Sequence, residues 1–274
     1  MALGIDMFRD YFSEYKEQYV LIGGAACELL LHEVGEEFRP TRDIDMVLIV
    51  EALTTEFAQR FWQFIDEGGY VPRRRQDGKC EFYRFVKPKN PSYPEMIELF
   101  ARPGSGVEFK YQGHLIPLHV DDEISSLSAI LLNDAYYELL LDGKVIADDV
   151  SVLDAGHLIP MKMKAWLDLT EKKANGMHVN DRDLRKHRQD VFRLFRLIGD
   201  NDFIPVPQEV LNDVKAFIGI VREQKFDTAS LVVCPRRAMY SASIFLISSG
   251  DSFIPRSTHL VITFQIAPVL KAII

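Results

Sequence analysis

The stretch GGAACELLLHEVGEEFRPTRDIDMVLIV, residues 23–50, decides how the chain is read. It ends in an apolar segment that carries Asp43 and Asp45 with one isoleucine between them. Alternate side chains on a strand leave the same face. A strand over residues 43–50 therefore presents both carboxylates side by side and turns Ile44 the other way. Like charges held that close repel, and burial strengthens the repulsion. A cation is expected between them.

Upstream, residues 19–22 read as a short apolar strand that ends at Gly23-Gly24, and residues 25–34 as a helix. Glycines at such a turn let the backbone approach a ligand, and the helix N-terminus offers unpaired N–H groups to a phosphate. Arg39, Thr41 and Arg42 lead directly into the aspartates and bring donors and positive charge beside them. Downstream, residues 96–101 (MIELFA) read as another strand, which can set Glu98 on the same face. Three carboxylates of this kind suit a pair of divalent ions that clamp an in-line phosphoryl or nucleotidyl transfer. Magnesium fits because it prefers oxygen ligands and shares its shell with phosphates.

The rest of the chain sets the frame. At 274 residues it has room for two modest domains, and its net charge of −8 argues against a wholly basic nucleic-acid-coating protein. Cys27, Cys80 and Cys234 are odd in number and lack CxxC spacing, so small buried hydrophobes in a reducing cytoplasm are expected. The first residues, MALGIDMFRDYFSEYKE, lack the apolar core of a signal peptide, and no membrane span is expected.

Aromatic spacing predicts an opening helix over residues 5–17, and residues 54–66 a helix capped by Gly68-Gly69. Residues 80–86 read as a strand, with short pieces around Phe109 and Leu115. A long helix is expected over residues 124–141, stopped at Gly143. Helices follow at 161–173, 181–197 and 207–222, which places a domain boundary near 150–157. Residues 238–274 form an apolar tail with no assigned structure.

The GG pair, with an arginine and a threonine shortly before D-I-D, resembles the nucleotidyltransferase fold shared with DNA polymerase beta. More narrowly, the chain is similar to the AbiEii/AbiGii type of toxin-like nucleotidyltransferases. SLSAILLNDAYYELL, LIPMKMKAWLDL and RKHRQDVFRL resemble that group's later blocks in order, so the resemblance spans about residues 19–198.

It implies an α+β catalytic domain (residues 1–155) with a small mixed sheet flanked by helices. A helical domain (156–237) would follow, with the active cleft between the two. It implies that Gly23, Gly24, Thr41 and Arg42 contact the nucleotide and that Asp43, Asp45 and Glu98 hold magnesium or manganese. Lys162 would grip the triphosphate, and Asp190 closes the last block. Lys164 competes with Lys162, which is preferred because K-x-x-A fits Ala165. The reaction implied moves NMP from an NTP to an RNA (tRNA-like) or protein hydroxyl and releases pyrophosphate. A toxin or phage-defence role with a cognate antitoxin protein would go with it.

Blander readings compete at each position. Glu98 can be an exposed strand residue, Lys162 a surface lysine, and Asp190 a helix-surface partner of Arg188 or Lys186. Trp62 and Trp166 read as core. Arg73-Arg74-Arg75 and the basic run from Arg182 to Arg196 invite a nucleic-acid reading, with solvated surface as the default. Two rivals to the enzyme are a non-catalytic nucleotide- or partner-binding protein on the same scaffold and a DxD glycosyltransferase.

Overall fold

The computed structural model describes residues 3–74, 80–101, 109–111, 114–116, 133–199, 202–223, 240–247 and 260–268. The chain divides into two compact units, Met1–Asp154 and Ala155–Ile274. The architecture is α+β, with seven α-helices among the described residues and a mixed, open seven-stranded sheet.

The first unit opens with α1 (Ile5–Phe12), whose apolar spacing buries Ile5, Phe8 and Phe12. A 3-10 turn over Ser13–Gln18 replaces the second half of the predicted helix. Then come β1 (Tyr19–Ile22), α2 (Gly23–Glu33), β2 (Asp43–Leu48), α3 (Thr55–Gly68), β3 (Val71–Arg74), β4 (Cys80–Val86) and β5 (Met96–Phe100). The hairpin of β6 (Phe109–Tyr111) and β7 (His114–Ile116) lies outside the main sheet. The unit closes with α4 (Asp134–Asp142), β8 (Lys144–Ala147) and β9 (Val150–Leu153).

The sheet order is β3-β4-β5-β2-β1-β9-β8. Pairing is parallel at β2–β5 and β1–β9 and antiparallel at the other junctions. Every residue of β1 is buried, as expected of a central strand covered on both faces.

An aromatic cluster joins α1 to α3. Phe12 and Phe64 have ring centroids 5.3 Å apart, Tyr11 and Phe64 5.1 Å, and Phe61 meets Phe85 of β4 edge-on at 5.7 Å. Such pairs add about 0.5–1.5 kcal/mol each beyond their burial. Helix α3 begins where Thr54 Oγ1 accepts from the Phe57 amide at 3.2 Å, and it ends at Gly69, with φ +66.

One expectation needs correction here, and one element was not foreseen. The helix predicted over 124–141 is not continuous, because Asn133 is extended (φ −84, ψ 126) and caps α4 by accepting from the Ala135 amide at 2.8 Å. The part over residues 124–132 lies outside the described residues. The β8–β9 hairpin has no counterpart in the sequence reading. Its turn residues, Asp148 and Asp149, both adopt left-handed backbone (φ 49 and 61). Arg9 Nε donates to the Asp148 carbonyl at 2.7 Å, the Arg9 guanidinium pairs with the Asp148 carboxylate, and Lys16 pairs with Asp149.

The second unit contains α5 (Ala155–Ala174), α6 (Asp181–Leu194), β10 (Phe203–Val206), α7 (Gln208–Glu223), β11 (Tyr240–Ile247) and β12 (Leu260–Pro268). Helix α5 packs on both α6 and α7. The unit is not helical throughout, because β10, β12 and β11 form an antiparallel three-stranded sheet in that order. Pro160 lies inside α5, where it cannot donate to the Gly156 carbonyl.

Candidate active site

Strand register assembles the acidic row. Ile22 of β1 pairs with Asp45 of β2, Asp45 with Glu98 of β5, and Glu98 with Arg84 of β4. Directly paired residues share a face, so Asp45, Glu98 and Arg84 stand in one row across three strands, about 4.8 Å from strand to strand. Asp43 lies two residues before Asp45 on the same face, and both are half-buried. Glu98 is buried.

Arg84, which the sequence reading did not single out, donates from Nη2 to Glu98 Oε1 at 2.7 Å. A row of like charges needs such a counter-charge. In this row the guanidinium sits on Glu98 at the flank. Among the described residues, no three His, Cys, Asp or Glu side chains converge as a group able to hold a metal ion.

The glycine turn abuts this row. Gly23 has φ +71, and a Cβ built there would overlap Asp45 Oδ2. Only glycine meets both demands. Gly23 and Gly24 open α2 itself, two residues earlier than predicted, and no side chain caps that helix end. A Cβ on Gly24 would overlap Thr41 Cγ2 and lie 3.3 Å from Arg39 Nη2. Arg39 therefore stands over the start of α2, and it also lies 4.8 Å from the Phe38 ring.

Glu28 of α2 fixes that approach. Its Oε2 accepts from the Thr41 amide at 3.2 Å and from the Thr41 hydroxyl, with both residues buried. The signal for Glu28 was present as an acid inside the otherwise apolar run AACELLL. Arg42 is placed differently from its neighbour. It is exposed and pairs with Glu95 at 2.7 Å.

In the second unit, Lys162 of α5 and Asp190 of α6 are both buried, and Lys162 Nζ donates to Asp190 Oδ2 at 3.3 Å. Asp190 thus pairs across helices and is buried, where the plainer reading had a helix-surface acid. Arg193 Nη1 lies 3.8 Å from the other carboxylate oxygen. The competing Lys164 sits 3.4 Å from both Asp168 and Asp213. Burial pushes the Asp168 carboxyl above its ordinary range, against the pull of Lys164. Burial also opposes the Lys164 charge, but the two aspartates outweigh it and hold its pKa above the usual lysine value.

Trp62 and Trp166 are core residues, and Trp166 meets Phe217 edge-on at 5.2 Å. Cys27 is buried. Cys80 belongs to β4, and Cys234 lies outside the described residues. Among the described residues no helix is long and apolar enough to cross a membrane. Comparison with protein-family models, curated proteins and solved structures finds no match to this chain.

Proposed function

We propose that the chain is a metal-dependent nucleotidyltransferase that moves NMP from an NTP to a hydroxyl of an RNA or protein acceptor and releases pyrophosphate. The observation that carries this reading is the row Asp45–Glu98 on parallel neighbouring strands, with Gly23 against Asp45 and an uncapped helix start beside it. The sequence resemblance over residues 19–198 points the same way and extends the reading to the nucleotidyltransferase fold.

In this reading Asp43 and Asp45 hold magnesium or manganese, with Glu98 beside them. When bound, the metal supplies positive charge for the triphosphate and lowers the pKa of the attacking hydroxyl. The chain's own groups do the remaining work. The first N–H groups of α2 point at phosphate oxygens, and glycine lets the backbone come close. Arg39, beside Gly24 and two residues from the anchored Thr41, adds a guanidinium suited to bidentate phosphate binding. Thr41 acts here as a loop anchor, and Arg42 contributes charge from an exposed ion pair with Glu95. The resemblance assigns Lys162 to the triphosphate, and within the second unit Asp190 accepts from its ammonium at 3.3 Å. The resemblance also supports a toxin or defence role with a cognate antitoxin.

A second reading, nucleotide or partner binding without transfer, has an observation of its own. Glu98 is engaged by Arg84 and Lys162 by Asp190, so two of the assigned catalytic groups already hold protein partners. The glycosyltransferase alternative gains nothing from a sheet in which β2 has a parallel neighbour only in β5.

The test is incubation of the protein, and of the Asp43→Ala/Asp45→Ala variant, with each α-labelled NTP, magnesium and cell lysate. Nuclease and protease treatment then locate the label. Label transferred only by the intact protein supports the reaction and names the base and acceptor class. Nucleotide binding with no transfer from any NTP removes the enzyme reading in favour of the second.

A further inference from the structure

The sequence singled out a basic run that the proposed site does not use. Between residues 182 and 196 there are six lysines and arginines against Asp183 and Asp190, a local balance of +4 in a chain of −8. Helix α6 and the 3-10 turn Phe195–Leu197 that follows it separate these charges by face. Asp190, Val191 and Leu194 are buried. Asp183 lies 7 and 11 positions before Asp190 and Leu194, on that same side.

The opposite side is different. Arg182, Arg185, Gln189, Arg193 and Arg196 follow one another at spacings of three or four residues, so they form one stripe along the helix. Arg182, Arg185 and Arg196 are exposed, while Gln189 and Arg193 are half-buried. The stripe spans about 21 Å at a rise of 1.5 Å per residue. It carries no acid. Asp190 is withdrawn into the core against Lys162, and Asp181, just before Arg182, is bound by Lys173 Nζ at 2.5 Å. Of the helix's three carboxylates, Asp190 is thus buried away from the basic face, while Asp181 and Asp183 stay exposed at its first turn.

We propose that this face of α6 binds the phosphodiester backbone of a nucleic acid. Its charged groups are guanidiniums, whose planar fork of donors engages two phosphate oxygens at once, as an ammonium cannot. Along the stripe they fall as two pairs, Arg182 with Arg185 and Arg193 with Arg196, three residues apart within a pair and eight between pairs, so separated points of one polyanionic backbone can be held at once. An acidic protein surface would be met as well by scattered lysines. The proposal stands apart from the nucleotidyltransferase reading. A protein that transfers no nucleotide could still carry the surface, and an active transferase could lack it.

The experiment is fluorescence anisotropy with labelled single-stranded RNA, single-stranded DNA and polyglutamate as separate probes, with full-length protein, across a salt series. Each neutralised phosphate of a single strand contributes a slope of about −0.7 in log K against log salt. The three exposed arginines therefore give a slope near −2, or about 20-fold weaker RNA binding when salt rises fourfold. Arg182→Gln/Arg185→Gln/Arg196→Gln should abolish most of that slope. Lys89→Gln/Lys215→Gln/Arg222→Gln removes equal charge from exposed positions elsewhere and should keep it.

Comparable slopes for RNA and DNA support backbone recognition, and a preference for RNA supports it with added contacts to the 2′-hydroxyl. Three results overturn the proposal. They are absence of RNA and DNA binding at low salt, equal binding by both triple variants, and polyglutamate binding with the same affinity and slope. Circular dichroism of the triple variants guards against loss of fold.

Discussion

The Asp190→Ala substitution offers a direct measure of the buried pair. Lys162 is 5 % exposed and Asp190 0 %, with their charged atoms 3.3 Å apart. Removing the carboxylate leaves a buried ammonium without its counter-charge, a change that costs about 3–5 kcal/mol in buried pairs. Replacing both groups, Lys162→Met with Asp190→Leu, removes the charges together and should come within about 1 kcal/mol of wild type. Arg193 Nη1, buried 3.8 Å from the other carboxylate oxygen, loses that neighbour in both variants and so affects them alike.

The assay is urea unfolding followed by tryptophan emission in a Trp62→Phe background. Trp166 then reports the second unit alone, which matters because a chain of two units need not unfold in one step. The expected result is a severe loss for the single variant and a near-complete recovery for the double. A single-variant cost below about 1 kcal/mol, or costs that simply add in the double, would refute the view that this pair is desolvated and coupled.

Three further outcomes follow from the described geometry. Gly23→Ala should destabilise the first unit by about 2–4 kcal/mol, from left-handed backbone and displacement of Asp45; melting like wild type, read by Trp62 in a Trp166→Phe background, would contradict it. Glu28→Ala should cost about 1–3 kcal/mol and speed hydrogen exchange at the Thr41 amide, whereas Glu28→Gln keeps an acceptor and most of the protection. Unchanged exchange in Glu28→Ala would show that another group holds that amide.

The third concerns pH. The folded state raises the Lys164 pKa above 10.5, so its contribution is complete below that value and is lost as pH climbs through the folded pKa. Lys164→Met should flatten the alkaline loss of second-unit stability, and an identical profile in wild type and variant would count against it.

Local signals in the sequence reached the elements that local chemistry decides. Tyr19–Ile22 and Cys80–Val86 stand where their apolar and aromatic runs placed them, and Thr54 and Gly69 bound α3 through its own capping groups. The β8–β9 hairpin was not legible because its turn, Asp148-Asp149, lacks glycine and asparagine. Its left-handed backbone is supported by Arg9 and Lys16, more than 130 positions away.

The candidate site divides along the same line. Alternation put Asp43 and Asp45 on one face, but only register reveals that Glu98 stands beside Asp45 and carries Arg84. Of three neighbouring donors, the sequence favoured Thr41 and Arg42 over Arg39, and nothing local distinguished the arginine over Gly24 from the one on Glu95. Asp190 read as a surface acid because its neighbours Lys186 and Arg188 are basic, yet its carboxylate meets α5, 28 residues earlier.

The place of β1 in the sheet also orders events during synthesis. Its antiparallel neighbour β2 follows within the next thirty residues, but its parallel neighbour β9 pairs Leu21 with Val152. At about 5–20 residues per second, a ribosome reaches that partner roughly 7–26 s after β1 is made. Until then one edge of the sheet's most apolar strand waits uncovered, and α1 lacks the Asp148-Asp149 turn to which Arg9 and Lys16 bind. The first unit thus completes its sheet only after residue 152 has been made.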